Sequence, residues 1–251
     1  MIFTEPRFFA FFAVAFAVYW TTNSNTARKF WLLGCSVAFY AAWDWRFLGL
    51  VVLVIANTYT TTLLLSRTER PEYRRAILTV AVSLALLVLG YFKYYNFFVD
   101  SLSKLISLDA ATKSIILPVG ISFYTFHAMS YMIDTYRRKI EPTNNLLDVS
   151  LYILFFPQLV AGPILRATDL LPQMQQARSI QAVNGKYYIT LFLIGYFKKA
   201  VISDGVAPFA DAFFATPSAY GAWDAVEGIF FYTVQIYCDF SGYIGFRSAT
   251  S

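Results

Sequence analysis

Apolar residues gather along this chain in long blocks, without the two-residue alternation of a half-buried strand or the single stripe of a surface helix. A membrane-crossing helix needs about 20 mainly apolar residues, and blocks of that order lie at 8–22, 30–43, 47–65, 76–99, 115–136, 146–165, 187–203 and 225–243. The pattern predicts an all-α polytopic integral membrane protein with seven to eight spanning or re-entrant helices. The polar knot Asp44-Trp45-Arg46 divides one apolar stretch and predicts a helical hairpin. Pro118 and Gly120, and again Pro157, Gly162 and Pro163, fall inside apolar blocks. Helices broken at membrane depth are tolerated where protein or water satisfies the freed backbone groups.

Basic residues punctuate the blocks. With the N-terminus outside, the stretches 67–75 and 137–139 both fall in the cytoplasm, as the Lys/Arg bias prefers, while 166–186 counts the other way. The sequence Ala13-Val14-Ala15 resembles a cleavage site, yet the start is not distinctly basic and many apolar blocks follow, so the first block is expected as a retained signal-anchor helix. No fixed-period repeat or low-complexity tract occurs, and one transmembrane domain is expected over 1–243, followed by an atypical tail at 244–251.

Polar residues recur inside two blocks at helical spacing. Tyr124, His127, Tyr131, Asp134 and Arg138 stack along one face of the fifth. A charge at mid-bilayer costs about 2.5–3.5 kcal/mol on insertion scales, so this face is expected to meet protein or a wet cavity. Either Asp134 pairs with Arg137 or Arg138 and His127 is a satisfied interior histidine, or the face is functional. In the last block Gly228, Tyr232, Gln235, Asp239 and Gly242, with Ser241 beside them, form either a tight helix interface or a polar tunnel wall. Gln158 and Arg166, around the Gly162-Pro163 break, pose the same choice. Lys198 and Lys199 read as snorkelling interfacial lysines rather than catalytic ones.

Composition agrees with the block pattern. The 251 residues are 58% hydrophobic and 14% charged, with mean hydropathy +0.53, against roughly 25% charged in an ordinary soluble domain. The net charge of +5 comes from scattered cations, which reads as membrane topology rather than a nucleic-acid face. Cys35 and Cys238 lie in apolar stretches with no metal-ligand spacing, so neither a structural disulfide nor a zinc site is expected. No phosphate loop, nucleophile elbow or His-Glu-x-x-His motif occurs, and no stripe contains a paired acid and base. Transporter-like conduit, scaffold and intramembrane enzyme all remain open on the residues alone.

Four motifs in order narrow the choice. Leu117-Pro-Val-Gly-Ile-Ser-Phe-Tyr-Thr-Phe-His127 runs on to Tyr131-Met-Ile-Asp-Thr-Tyr-Arg137, and Phe155-Phe-Pro-Gln-Leu-Val-Ala-Gly-Pro-Ile164 follows. Phe192-Leu-Ile-Gly-Tyr-Phe-Lys-Lys199 and Gln235-Ile-Tyr-Cys-Asp-Phe-Ser-Gly-Tyr243 complete the set. Up to Tyr243 the chain resembles the membrane-bound O-acyltransferase (MBOAT) family, in its bacterial alginate O-acetyltransferase-like branch.

The resemblance implies the N-terminal part of a helical ring around a central tunnel, in the bacterial cytoplasmic (inner) membrane. It implies transfer of an acyl group, acetyl above all, toward an exported polysaccharide such as alginate. The donor would be a cytoplasmic acyl carrier such as acetyl-CoA, used as substrate, with no bound cofactor or metal. Membrane lipid, the polysaccharide acceptor and extracytoplasmic acetyltransferase proteins are the partners implied; nucleic acid is not. Tunnel-lining candidates are Gln158, Arg166, Gln235, Asp239, Ser241, His127 and Asp134. The family's catalytic histidine belongs to a Trp- and Arg-rich motif downstream of the Cys238-Asp239-Phe240 segment, so it is expected beyond Ser251, with His127 in another role. A frameshifted or truncated end, poor accumulation and an inactive product are the corresponding expectations.

Overall fold

Proline and asparagine-type caps set where the helices begin. The computed structural model describes residues 5–106, 115–159, 166–176 and 184–250, and every regular element among them is helical. Helix α1 (Pro6–Thr21) opens on a proline, whose missing N–H is no loss in a first turn. Helix α2 (Asn25–Asp44) is capped by Ser24, which accepts the Ala27 N–H. It ends where Asp44 turns extended (φ −158, ψ 104), and a 3-10 turn, Trp45–Phe47, leads into α3 (Leu48–Arg67). The Asp44 carboxylate accepts the Arg46 backbone N–H and its guanidinium, an ion pair at 2.6 Å that holds the Asp44 carboxyl below the usual carboxylate range.

The predicted hairpin is present. Lys29, near the start of α2, pairs with Asp148 at the beginning of α6 (Leu146–Leu154), and Tyr59, in the second half of α3, donates to the Asn144 carbonyl just before α6. Both far ends therefore lie at one level, and α2 and α3 run antiparallel. Two helical stretches, Asn25–Arg67 with its central turn and Pro71–Ser103, are long and apolar enough to cross a membrane.

Helix α4 (Pro71–Ile106) carries the clearest membrane signature. Ala81, Ala85 and Leu89 are buried, whereas Tyr73, Val80, Leu84, Leu87, Tyr91 and Tyr94 are exposed along one face. Tyr73 and Tyr94 stand about 31 Å apart along the axis, matching a hydrocarbon core of about 30 Å with aromatic residues at each edge.

Helix α5 (Ile121–Tyr136) starts later than the block 115–136 predicted, because Pro118 and Gly120 end the run before it. Gly120 takes a left-handed conformation (φ 72), and a Cβ there would stand 2.4 Å from the Leu159 carbonyl oxygen. The block 146–165 also divides: α6 stops at Phe155 and a single turn, α7 (Phe156–Leu159), follows. Pro157 is the cause, since its ring would clash with the carbonyl four residues earlier in a continuing helix. The Gly162 and Pro163 break lies outside the described residues. Helix α8 (Ala167–Gln175) was not predicted. The block 187–203 becomes α9 (Gly185–Tyr196) and a π-helical segment, Phe197–Ser203, and continues into another unpredicted helix, α10 (Asp204–Ala215). Helix α11 (Ala222–Thr250) keeps its backbone helical through most of the 244–251 segment; Ser251 is outside the described residues.

These elements form two compact units. The larger takes in described residues 15–106, 115–159 and 166–176. Its core joins Tyr40, Val54, Leu89, Tyr124, Tyr152 and Leu170 from six helices. The smaller takes in residues 5–14 and 184–250, in which α11 packs on α9, the π-helical segment and α10.

Candidate functional site

In the larger unit, the predicted α5 face points inward. Tyr124, His127, Tyr131 and Asp134 are all buried, His127 to 1% exposure. The His127 and Tyr131 rings meet Tyr152 of α6 edge-on at 5.9 and 5.7 Å. The Tyr152 hydroxyl donates to the His127 carbonyl at 3.3 Å, and the Tyr131 hydroxyl accepts the Thr143 N–H at 3.0 Å. Arg138 does not continue the face. The helix ends at Tyr136, Arg138 is left-handed (φ 56), and its guanidinium lies 3.5 Å from Glu69. The expected pairing of Asp134 with Arg137 or Arg138 is therefore corrected: no ion pair to Asp134 occurs among the described residues, and Asp134 is 8% exposed.

Gln158 and Arg166 part company. Arg166 is exposed at the N-cap of α8, where its carbonyl accepts the Asp169 and Leu170 N–H groups. Gln158 is 1% exposed and serves the break between α6 and α7. In a continuous helix the Tyr152 carbonyl would accept the Phe156 N–H. Here Gln158 Nε2 donates to the Tyr152 carbonyl at 2.6 Å, and the Phe156 N–H goes to Ser36 Oγ of α2 at 3.2 Å. Two side chains thus satisfy both halves of the broken bond, as a break in an apolar interior demands. Gln158 Oε1 remains buried without a hydrogen-bond partner among the described residues.

The smaller unit gathers the other candidates. Lys199 Nζ lies 2.7 Å from Asp239 and 2.8 Å from Asp204, and Lys198 Nζ donates to Ser241 Oγ at 2.9 Å. Ser203 donates to the Gln235 carbonyl at 3.1 Å, while Gln235 Oε1 is buried without a hydrogen-bond partner among the described residues. The Lys199 side chain is only 15% exposed, held by the carboxylates of α10 and α11. Both glycines of the last stripe lie at helix contacts. A Cβ on Gly228 would sit 2.5 Å from the Phe213 ring, and one on Gly242 2.8 Å from the Gly195 carbonyl. Lys199 lies on a π-helical segment, an irregularity frequent at functional sites, and its two carboxylate partners lie on α10 and α11. Lys199 was visible in the sequence, but its carboxylates come from beyond its own helical turn; the only signal was that two of the family motifs hold the lysines and Asp239.

Among the described residues, the one side-chain hydroxyl held by an amine in these clusters is Ser241, which accepts from Lys198 Nζ at 2.9 Å. What both provide is polar lining inside helical packing, fixed by ion pairs and hydrogen bonds. The described chain is thus all-helical, with two stretches long and apolar enough to cross a membrane and buried polar groups in each unit.

Comparison with known proteins makes this specific. No family model matches the chain. Over 97% of its length it is 38% identical to a probable alginate O-acetylase AlgI of Azotobacter vinelandii and 38% identical to one of Pseudomonas aeruginosa. It is 31% identical, again over 97% of its length, to a peptidoglycan O-acetyltransferase of Helicobacter pylori. The matches cover 49%, 47% and 52% of those proteins, so the chain spans about half the length of the curated relatives it matches. Similarity to relatives with these names is consistent with the MBOAT-like acetyltransferases that the motifs resemble.

Proposed function

We propose that the chain is part of a membrane enzyme that moves an acetyl group from a cytoplasmic carrier such as acetyl-CoA to a hydroxyl of an exported polysaccharide. The observation that carries this reading is the identity, across 97% of the chain, with relatives named as alginate O-acetylases. The Helicobacter relative widens the acceptor class to peptidoglycan, and the shared chemistry is esterification of a carbohydrate hydroxyl.

The protein resides in the bacterial cytoplasmic membrane and crosses it several times, N-terminus outside. Three features support this: the α4 face with tyrosines about 31 Å apart, the cations around 67–75 and 137–139, and the inward polar face of α5. Buried polar residues in both units support the tunnel-bearing ring that the family resemblance implies. Transfer breaks the donor thioester C–S bond and forms the ester C–O bond, with the acceptor proton passing to a base. The polar residues described here line and orient, and extracytoplasmic partner proteins complete delivery.

The test is an acetyl-transfer assay on membranes carrying the expressed protein, with labelled donor. The expected result is donor-dependent label in base-labile esters of the polysaccharide. Absence of transfer, with solute flux altered by Asp239→Asn and Gln235→Leu, would instead define a non-enzymatic conduit or scaffold.

A further inference from the structure

Six exposed cations, Arg67, Arg70, Arg75, Arg137, Arg138 and Lys139, stand at one end of the larger unit. Their proximity is fixed by Arg74, which is buried among them. Its guanidinium donates to the carbonyls of Leu65 and Thr68 at the end of α3, and to those of Thr135 and Tyr136, at 3.4 and 2.9 Å, at the end of α5. Arg138 reaches across to Glu69. The acids of this rim, Glu69, Glu72 and Glu141, are half as many as its exposed cations. At the opposite end, among residues whose side chains are described, Arg46 and Lys93 are matched by Asp44 and Asp100.

The rim also stands at the head of an apolar wall. Arg70 lies 5.9 Å over the exposed Tyr73 ring, and below it Leu64, Val80, Leu84 and Leu87 are exposed on α3 and α4. Planar guanidinium groups match phosphate oxygens in paired hydrogen bonds. A free phosphate would use only the cations, whereas an anionic amphiphile uses the cations and the wall together.

We infer that this rim binds the headgroups of anionic phospholipids in the cytoplasmic leaflet. The inference rests on the membrane reading above. It assigns the rim a ligand, beyond the orienting effect of its charge, and it places Arg75 and Arg137 on headgroups while Arg74 stays with the backbone.

The test counts lipids that co-purify with the chain in mild detergent, and then measures its preference for phosphatidylglycerol over phosphatidylcholine in nanodiscs. Phosphatidylglycerol is expected to be enriched over the bulk membrane and to stay enriched in excess inorganic phosphate. An Arg70→Gln, Arg75→Gln, Arg137→Gln variant should lose the enrichment, about fivefold per cation at low salt, while Lys93→Gln at the opposite end keeps it. The single variants Arg75→Gln and Arg137→Gln carry the same expectation in smaller measure if the triple variant accumulates poorly. Unchanged enrichment in all three, or displacement of the lipid by inorganic phosphate alone, would overturn the inference. Carbonate extraction of the same membranes separates the two readings: a released wild-type chain removes both, and a retained chain without lipid preference removes only this one.

Discussion

Gln158 donates its side-chain amide to the carbonyl of Tyr152 at 2.6 Å, the carbonyl left open where Pro157 halts α6. The break is thereby sealed from within the protein. Gln158→Leu removes that buried hydrogen bond and should cost about 1–3 kcal/mol. Ser36→Ala, which removes the hydrogen bond accepted from the Phe156 N–H, should cost a similar amount. Cys35 and Cys238 are both buried and free, so a thiol-reactive dye in a thermal ramp measures either loss. Unchanged melting of both variants would show that the break does not depend on these two side chains.

Gly120 permits the close approach of α5 to α7. Gly120→Ala meets two obstacles, a left-handed backbone and the Leu159 carbonyl 2.4 Å from the new Cβ. Strained backbone alone costs about 1–3 kcal/mol. The same dye assay should show lowered melting, whereas Gly90→Ala, with open space around it, should not.

Lys29 and Asp148 form an ion pair at 2.6 Å with side chains 11% and 4% exposed. Removing one partner strands a buried charge, at about 3–5 kcal/mol, while replacing both with apolar groups is close to neutral. Lys29→Met and Asp148→Leu should each accumulate poorly, and the double variant should recover most of the loss. A double variant as weak as either single one would place the stability elsewhere.

Lys199 differs because it faces two carboxylates in a wetter setting, Asp239 being 33% exposed and Asp204 45%. Lys199→Met should therefore cost more than Asp239→Asn, which leaves Asp204 in place. The expected difference is about 1 kcal/mol, read from melting of the two variants side by side.

The sequence made the inward face of α5 legible because Tyr124, His127, Tyr131 and Asp134 follow the helical period, and the period decided their burial. Arg138 obeyed the same spacing but lies past the helix end, and spacing does not report where a chain turns left-handed. Helix α8 went unseen because it is short, amphipathic and contains Pro172. Helix α10 went unseen because Gly205 and Pro208 read as breakers, although the helix absorbs both after the π-helical segment. The family motifs marked Lys198, Lys199, Asp239 and Ser241 in sequence, but the pairing of Lys199 with Asp239 is a contact between helices with no period to betray it, and its Asp204 partner stands at the five-residue spacing of a π-helical turn, which the sequence did not announce.

Arg74 ties the end of α5 to the level of the cationic rim, and that fixes how deep everything else on α5 lies. His127 is two helical turns further in, about 12 Å below the pinned Thr135 carbonyl, which on the proposed membrane reading is a little short of halfway through a hydrocarbon layer of about 30 Å. On that reading the guanidinium at the edge works as a depth gauge for the imidazole further in. An environment-sensitive probe placed at residue 127 should report the low polarity of the mid-plane rather than that of the interface.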